Sequence, residues 1–567
     1  MQNGEIGRVL SEIADMLEIT GENFFRVRAY RNAARAVWDY PATFAELSIE
    51  KMSEVAGIGK DLSAKIETLV KTGELALHRE LSAKVPPGVL ALMHLPGLGP
   101  KRVKQISEQL AIQDLTQLRT ALEAGALRTI RGFGPKMEEK LLEHLSREPR
   151  TKPKRWLYSD AALEVDALLA YLRRCKAIER AEVAGSFRRR RDTVGDLDIL
   201  TISSRPAEVS KWVLAYPRAA KTLGSGETKT TIVLNGGLQV DVRILPAKSY
   251  GAALIYFTGS QAHCIHIRKI AQRMRFSLNE YGLLRAERSI AGRTEEDVYA
   301  KLGMSWIPPE LREDRGEVEA ALEHRLPRLI ERSDLRGDLH THSTYTDGRA
   351  SIEEMARAAQ QAGLEYFAVT DHSQRLAMVH GLDPQRLREQ WREIETVQAS
   401  VSGIKLLRGI EVDILEDGSL DLPDDVLAEL DWVVASVHSK LDQPAPEMTR
   451  RLIKAIKNPH VDVIGHPTGR LIGKRDESTF DFGEVLRAAH EEGCALEVNS
   501  QPDRLDLADT ACMAAKRAGV KLVISTDSHS TNGFDNVEFG LAQARRGWIE
   551  PADVLNTRPL NELRQRR

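Results

Sequence analysis

The sequence predicts a multidomain protein built from three regions of different fold class: an all-α region, an α+β region and an α/β barrel. Its 567 residues are too many for a single domain of ordinary size. Residues 1–150 repeat apolar residues at helical spacing, and residues 156–310 combine short strands with glycine turns. Residues 335–567 alternate apolar strands with helical segments, which is typical of a parallel barrel.

The net charge conceals two parts of opposite sign. The whole chain carries −2, but residues 1–330 carry +9 and residues 331–567 carry −11. Nine of the 15 histidines lie in the acidic part. A segment rich in both histidine and carboxylate is suited to binding metal ions.

The cysteine spacing and the lengths of the apolar segments indicate the cellular compartment of the protein. Four distant cysteines with no Cys-x-x-Cys pair exclude a zinc ribbon and argue against a disulfide framework. The N-terminus shows no signal-peptide pattern, and no segment approaches the roughly 18 apolar residues that cross a bilayer. We expect a cytoplasmic protein that is monomeric and makes no membrane contact.

The predicted elements follow the same division. Apolar spacing predicts helices around residues 9–17 and 62–69, and a proline-bracketed basic linker covers residues 149–155. A helix over residues 161–175 leads into the strands of the α+β region, and residues 311–334 are predicted to link this region to the barrel. The predicted strands span residues 181–184, 197–202, 230–234, 238–245 and 254–257, then 366–370, 406–410, 432–437, 461–465, 495–499 and 522–525.

One short pattern occurs three times in the all-α region: an apolar residue, two glycines flanking another apolar residue, and the start of a basic helix. The glycines permit a tight turn with exposed backbone N–H groups, and the helix N-terminus favours an anion. A single copy is more often an ordinary connection, but three copies resemble the helix-hairpin-helix motif of DNA repair proteins. They predict DNA binding through backbone phosphates, without sequence preference. The glycines are Gly57, Gly59, Gly97, Gly99, Gly132 and Gly134.

Three aspartates stand out in the α+β region. Asp196 and Asp198 are two residues apart on a predicted strand and so share a face, and Asp241 lies in the middle of another strand. Clustered carboxylates repel one another unless cations separate them, and two divalent cations suit phosphoryl transfer. The nearby Gly185-Ser186 turn and the arginines at 188–191 can approach a triphosphate. Each feature also has a non-catalytic interpretation. The Gly-Ser turn with its arginines could be a solvated hairpin, and the Asp-x-Asp pair could lie on an exposed strand edge.

These motifs, in their order, resemble the family X DNA polymerases of the DNA polymerase beta type. The match extends through residues 195–198 (Gly-Asp-Leu-Asp), 226–229 (Gly-Glu-Thr-Lys), 256–260 (Tyr-Phe-Thr-Gly-Ser) and 279–281 (Asn-Glu-Tyr). It implies a nucleotidyltransferase palm with fingers, acting on gapped or nicked double-stranded DNA and a dNTP. The sequence departs from the family at Cys264, where many members have Asn, and at Gln239, where eukaryotic members have Arg.

The resemblance also implies residue roles. Asp196, Asp198 and Asp241 would bind two Mg²⁺ or Mn²⁺ ions, with Asp241 activating the primer 3′-hydroxyl. Gly185, Ser186, Arg189 and Gly259 would contact the nucleotide, with Ser186 and Arg189 on its triphosphate. Tyr256 and Phe257 would press on the sugar and disfavour ribonucleotides.

Lys65 occupies the position at which family members with 5′-deoxyribose phosphate lyase activity keep their Schiff-base lysine. The expected helper lysine is replaced by Asp61. A lysine on a helix is usually a solvated charge, so Lys65 has two interpretations: a catalytic amine or an ordinary surface residue.

The acidic region places histidines and carboxylates directly after predicted strands. In a parallel barrel these positions meet at the C-terminal rim, where barrel active sites lie. A bridging carboxylate such as Glu411 would hold metal ions close together. The set resembles the PHP (polymerase and histidinol phosphatase) domain, which implies a site for up to three Zn²⁺ or Mn²⁺ ions. The implied ligands are His340, His342, Asp347, His372, Glu411, His438, His466, Asp527 and His529.

The order of regions resembles the bacterial family X polymerases with a C-terminal PHP domain. It implies gap filling in base-excision or break repair, with a 3′–5′ exonuclease in the PHP domain, and it leaves open whether the same domain is also an abasic-site (AP) endonuclease. Two alternatives remain: a small-molecule phosphatase in the C-terminal half, or a non-enzymatic protein that bridges DNA ends.

Overall fold

The chain folds into two compact units, residues 1–153 and 154–567. The computed structural model describes residues 3–38, 40, 44–55, 57–85, 87–93, 95, 98–130, 133–134, 137–138, 141–142, 155–286 and 288–563. No helix in this described part of the chain is long and apolar enough to span a bilayer.

The first unit is all-α, as predicted. Its core is apolar and includes Leu10, Ile13 and Leu17 of the first helix and Ile66 and Leu69 of the fourth, which are buried. The apolar residues at helical spacing therefore mark the inner faces of the helices. The helices are α1 (Asn3–Thr20), α2 (Phe24–Trp38), α3 (Ile49–Glu54), α4 (Lys60–Thr72), α5 (Ala76–Lys84), α6 (Pro87–Leu92), α7 (Pro100–Leu110) and α8 (Leu115–Glu123).

The second unit begins with a two-stranded ribbon and a mixed five-stranded sheet. The ribbon pairs β1 with β3, and the sheet has the strand order β2-β4-β7-β6-β5, in which only β4 and β7 run parallel. The elements are β1 (Trp156–Leu157), α9 (Tyr158–Leu172), β2 (Arg180–Val183), α10 (Gly185–Arg188), β3 (Thr193–Val194), β4 (Asp196–Ile202), α11 (Pro206–Leu214), β5 (Ala219–Ser225), β6 (Lys229–Leu234) and β7 (Gln239–Leu245).

The region that follows is helical, apart from a three-stranded antiparallel sheet in the order β10-β9-β8. The prediction of a strand at residues 254–257 is wrong, because these residues lie inside a helix that is buried on nearly all sides. A short apolar run does not distinguish a buried strand from a buried helix. The elements are α12 (Tyr250–Thr258), α13 (Gln261–Arg273), β8 (Ser277–Asn279), β9 (Gly282–Arg285), β10 (Arg288–Ala291), α14 (Glu295–Lys301) and α15 (Glu317–Leu322).

The segment 311–334 is packed rather than extended. Arg312 and Glu317 are fully buried, and Ile330 donates its backbone N–H to the carbonyl of Ile549 in the C-terminal region. The side chain of Arg315 pairs with Asp509, also in the C-terminal region. These contacts place the five-stranded sheet, the helical region and the barrel in one compact unit.

The C-terminal region is a nearly closed parallel barrel of seven strands in chain order, as predicted. A parallel bridge between Thr341 and Ser528 links the first and last strands past their ends. The elements are β11 (Gly337–Asp338), α16 (Ile352–Gln361), β12 (Tyr366–Val369), α17 (Pro384–Ser400), β13 (Lys405–Asp413), α18 (Asp424–Leu427), β14 (Trp432–Ser436), α19 (Ala445–Ile456), β15 (Val463–Ile464), α20 (Phe482–Glu492), β16 (Ala495–Asn499), α21 (Asp509–Arg517), β17 (Leu522–Ser525), α22 (Val537–Arg546) and α23 (Leu560–Leu563).

Candidate active sites in the sheet and the barrel

The three aspartates lie on the parallel strands of the five-stranded sheet. Asp198 of β4 and Asp241 of β7 are directly paired in the register, and Asp196 begins β4 two residues earlier. Parallel pairing and the two-residue period put all three on one face.

The electrostatics of this face favour a cation. Burial raises the pKa of Asp198 to about 6, and the neighbouring carboxylates of Asp196 and Asp241 add to the rise. Lys229 Nζ lies 2.5 Å from Asp241 Oδ2, and Thr231 donates a hydrogen bond to Oδ1 at 2.7 Å. The lysine thus neutralises part of the negative charge that bound cations would otherwise balance.

The turn before the triad depends on a glycine. Gly185 has φ +64°, and a Cβ atom on it would lie 2.7 Å from Asp198 Oδ2. Only glycine lets the backbone pass so close to the carboxylate in this left-handed conformation. Ser186 follows in the short helix α10 and is half-buried.

Arg189 is held by two partners. Its Nε donates to Glu313 Oε1 at 3.0 Å, and its Nη1 donates to the carbonyl of Thr258. Gly259, next to that carbonyl, has φ +71°, and a Cβ atom there would lie 3.1 Å from Nη1 of Arg189. The structure therefore brings Arg189 and Gly259 into contact.

The two aromatic residues predicted to face the sugar sit at the end of α12. Tyr256 is 36% exposed and lies under the guanidinium of Arg268, while Phe257 lies under that of Arg243. Cys264 is buried, and its thiol points to the backbone carbonyls of α12 at Ile255 and Tyr256.

Four of the six glycines of the repeated motif lie in the described residues. Gly59 and Gly99 are the N-cap residues of α4 and α7, and Gly57 has φ +95°. Gly59, Gly99 and Gly134 have open space where a Cβ would be. Helix N-termini with accessible backbone are suited to a phosphate. Gly97 and Gly132 lie outside the described residues.

Lys65 lies on α4 and pairs with Asp61, one turn earlier, at 2.6 Å. Although partial burial lowers the pKa of Lys65, the hydrogen bond that Lys65 donates to Asp61 raises it above its ordinary value. A Schiff-base amine must lose its proton before it attacks, so the ion pair opposes that step.

The barrel brings the nine predicted ligands to the C-terminal edge of its strands. Ligand atoms of eight of them form three overlapping groups, in each of which all atoms lie within 4.8 Å of one another, and the ninth, His466, lies beside Glu411. Among the described residues, groups this tight occur only in the barrel, so the palm triad is the more open of the two sites. The groups are His342, Asp347, His372 and His529; His340, His342 and Asp527; and His372, Glu411 and His438.

Glu411 lies at the centre of the cluster. Its Oε1 lies 3.0 Å from His466 Nε2 and 3.2 Å from His438 Nε2. Its Oε2 lies 2.7 Å from His372 Nδ1 and 3.4 Å from His340 Nε2. One carboxylate therefore serves two sets of imidazoles, which is the arrangement expected of a bridging ligand.

The cluster fits divalent metal ions. His340 Nε2 and both ring nitrogens of His342 are buried without a hydrogen-bond partner. Buried polar atoms are normally paired, so these nitrogens are suited to metal coordination. The donor set of imidazoles and carboxylates matches the ligands of Zn²⁺ and Mn²⁺ sites.

The electrostatics of the cluster depend on its closely spaced carboxylates and imidazoles. Although burial lowers the pKa of His372, Glu411 and Asp347 raise it to about 10. Burial and the neighbouring His529 and His372 lower the pKa of His342 to about 3, so its ring is neutral near pH 7. The carboxylates of the cluster attract positive charge that bound metal ions would supply.

Two buried carboxylates behind the ligands escaped the sequence analysis. Glu497 Oε1 lies 2.7 Å from His340 Nδ1, and Asp413 Oδ1 lies 2.7 Å from His438 Nδ1. Such partners fix the orientation of a ligand imidazole and increase its basicity. In the sequence, each of these carboxylates is an acidic residue within an otherwise apolar strand, Glu497 in β16 and Asp413 in β13, and this pattern could have indicated a buried functional group.

Comparisons with known proteins agree with this architecture. Family models match as a helix-hairpin-helix domain (residues 1–75), a SAM-like helix-hairpin-helix tandem (89–147), a DNA polymerase beta thumb (253–313) and a PHP domain (338–501). The part of the α+β region that was predicted to form the fingers therefore matches, over residues 253–313, the domain called the thumb in DNA polymerase beta.

Two curated relatives illustrate the match. The chain is 38% identical to the DNA polymerase/3′-5′ exonuclease PolX of Bacillus subtilis (strain 168) over 567 residues, 99% of each chain. A probable phosphatase of Thermoanaerobacter sp. (strain X514) is 33% identical over 232 residues, 39% of this chain and 89% of the relative. The full-length match, together with the two sites, shows that the chain belongs to the family X DNA polymerases that carry a PHP 3′–5′ exonuclease domain.

Proposed function

We propose that this protein fills short gaps in DNA during base-excision or break repair and removes 3′-terminal nucleotides at its barrel. The observation that supports the proposal is that two separate groups of acidic side chains lie in one unit: the triad on β4 and β7, and the cluster at the rim of the barrel, in which His466 lies beside Glu411. Divalent cations bound at either site would supply electrostatic stabilisation of phosphate oxygens.

At the palm, we propose two Mg²⁺ or Mn²⁺ ions held by Asp196, Asp198 and Asp241. The residues of the chain then have distinct tasks. Asp241 accepts the proton of the primer 3′-hydroxyl, and Ser186 and Arg189 orient the triphosphate for in-line attack. Tyr256 and Phe257 pack against the sugar and exclude a 2′-hydroxyl.

At the barrel, we propose up to three Zn²⁺ or Mn²⁺ ions. Glu411 and the histidines and aspartates around it would hold these ions, while Glu497 and Asp413 hold His340 and His438 in position. The bound ions would supply charge stabilisation for hydrolysis of a phosphodiester, and the proposal extends from the 3′–5′ exonuclease to an AP endonuclease at the same site.

The first unit contributes DNA binding in this proposal. Gly59 and Gly99 present helix N-termini whose backbone N–H groups suit phosphates, so binding should be insensitive to sequence and weaken steeply with salt. Gly57, Gly97, Gly132 and Gly134 complete the three motifs.

Gap filling is tested with paired DNA substrates. Primer extension is measured on a one-nucleotide gap bearing a 5′-phosphate and on an open primer–template of the same sequence, with Mg²⁺ and Mn²⁺ in turn. We expect faster extension on the gap. No extension with either ion would favour the non-enzymatic end-bridging alternative, and equal rates would contradict a gap-filling role.

Two probable phosphatases favour a second candidate function, because each matches this chain over only 232 residues, 39% of its length. In that case the barrel would hydrolyse small phosphomonoesters. We expect single-stranded DNA to be hydrolysed with the higher kcat/KM when it is compared with p-nitrophenyl phosphate, and the reverse preference would support the phosphatase.

A further inference from the structure

One arginine of the barrel reaches into the polymerase half of the same unit. Arg546, the last residue of α22, has a side chain that is only 2% exposed. Its Nη1 donates to the backbone carbonyl of Arg189 at 2.7 Å and to Glu313 Oε1 at 3.0 Å. Its Nη2 donates to Asp509 Oδ2 at 2.6 Å, which anchors it within the barrel.

Glu313 joins the two arginines. The same Oε1 that accepts from Arg546 also accepts from Arg189 Nε at 3.0 Å. Together with the contact from Arg189 Nη1 to the Thr258 carbonyl, this fixes the plane of the Arg189 guanidinium.

The charges in this network leave Arg189 with net positive character. Two carboxylates, Glu313 and Asp509, face four guanidinium groups, those of Arg189, Arg191, Arg546 and Arg315. Without the charge of Arg546, Glu313 would be shared only with Arg191, whose Nη1 lies 3.7 Å away, and would neutralise Arg189 more completely. A shared carboxylate thus orients Arg189 without neutralising it, and buried ion pairs of this kind are strongly coupled.

We propose that Arg546 of the PHP domain is a positioning residue for dNTP binding at the palm. It acts through Glu313 and through the backbone of Arg189, so nucleotide affinity at the polymerase site depends on the C-terminal domain. The inference rests on the proposed role of Arg189 in holding the triphosphate.

The test measures dNTP kinetics of the full-length protein on gapped DNA. We expect Arg546→Gln to raise KM for dNTP about fivefold or more and to change kcat less than about twofold, since it affects binding rather than chemistry. Arg546→Lys should give an intermediate KM because it keeps the charge. Arg545→Gln is the matched control: Arg545 also crosses to Glu310, at 2.8 Å, but has no contact with Arg189 or Glu313, so its KM should stay close to that of the wild type.

Three outcomes separate the explanations. If Arg189→Gln leaves KM for dNTP unchanged, the proposed nucleotide role of Arg189 is wrong. If Arg189→Gln raises KM but Arg546→Gln does not, or if Arg545→Gln raises it equally, the positioning role of Arg546 is wrong. Thermal unfolding is recorded for every variant. If Arg546→Gln fails to fold, KM for dNTP is compared between Arg546→Lys and Arg545→Lys instead. We expect the higher KM in Arg546→Lys, and equal KM values would overturn the inference.

Discussion

A Cβ atom on Gly185 would lie 2.7 Å from the Oδ2 atom of Asp198. This is closer than real Cβ contacts allow, and Asp198 is a member of the carboxylate triad. Gly185 also has φ +64°, a conformation that side chains disfavour. The turn that is expected to hold the triphosphate and the carboxylate that is expected to hold metal are therefore in direct contact.

Substitution of Gly185 by alanine should damage polymerisation more than folding. The added methyl group must displace Asp198 or the turn, and a shift of about 1 Å at a reacting centre costs about 100-fold in rate. The measurement is single-nucleotide insertion on gapped DNA. Gly224→Ala is the control, because a Cβ at Gly224 in β5 meets no atom within 4 Å. Equal losses in the two variants would show that the close contact with Asp198 is unimportant.

Glu497→Gln should weaken metal binding at the barrel. The variant removes the charged partner of His340 Nδ1, and loss of such a partner typically lowers metal affinity about 10- to 100-fold. The measurement is the Mn²⁺ concentration that gives half-maximal 3′–5′ hydrolysis, which should rise by that factor while primer extension is unaffected. Glu491→Gln, an exposed substitution on the preceding helix, should change neither value. An unchanged Mn²⁺ requirement in Glu497→Gln would contradict the supporting role of Glu497.

Glu313 should make the second unit sensitive to acid. Although burial raises its pKa, Arg546 and Arg189 lower the pKa of Glu313 to about 2, against 4.5 ordinarily. Between these values the unfolded chain binds the proton and the folded chain does not, so the stabilisation is present above pH 4.5 and is lost as pH falls towards 2. From pH 5 to pH 3, the free energy of unfolding should fall about 2 kcal/mol more in the wild type than in Glu313→Gln. Urea unfolding at pH 5 and pH 3 measures this difference in the free energy of unfolding. An equal fall in the wild type and in Glu313→Gln would contradict the role assigned to Glu313.

Lys65 should form a trapped adduct more readily when Asp61 is removed. Asp61→Asn breaks the 2.6 Å ion pair and so favours the neutral amine. Borohydride trapping on a 5′-deoxyribose phosphate end at neutral pH should then give more covalent product than the wild type, and Lys65→Ala should give none. Adduct that persists in Lys65→Ala would assign the chemistry to another lysine.

Periodicity and motif spacing predict most of this architecture. The buried residues of α1 and α4 keep the 3.6-residue period, and six of the barrel strands lie on predicted apolar runs, five of which lead within two residues into a histidine or carboxylate. The nine ligands of the barrel were implied by the resemblance of these motifs to the PHP domain, and most of them follow a strand. Parallel strands then place their ends along one edge whatever the distances in sequence.

Contacts between distant segments could not be predicted in the same way. The segment 254–257, predicted as a strand, is helical, since a short apolar run fits a buried helix as well as a strand and its packing partners lie elsewhere in the chain. Arg546 and Glu313 are 233 residues apart, and nothing in either local sequence marks them as partners. Glu497 resembles any acidic residue in a strand until the barrel places it behind His340.

The central claim is that two independent sites in one chain perform synthesis and hydrolysis. It is tested most directly by measuring primer extension and 3′–5′ hydrolysis on the same DNA with Asp241→Ala and His342→Ala. Asp241→Ala should abolish extension and retain hydrolysis, and His342→Ala should retain extension and abolish hydrolysis. If both activities fall together in either folded variant, the assignment of two separate sites is wrong.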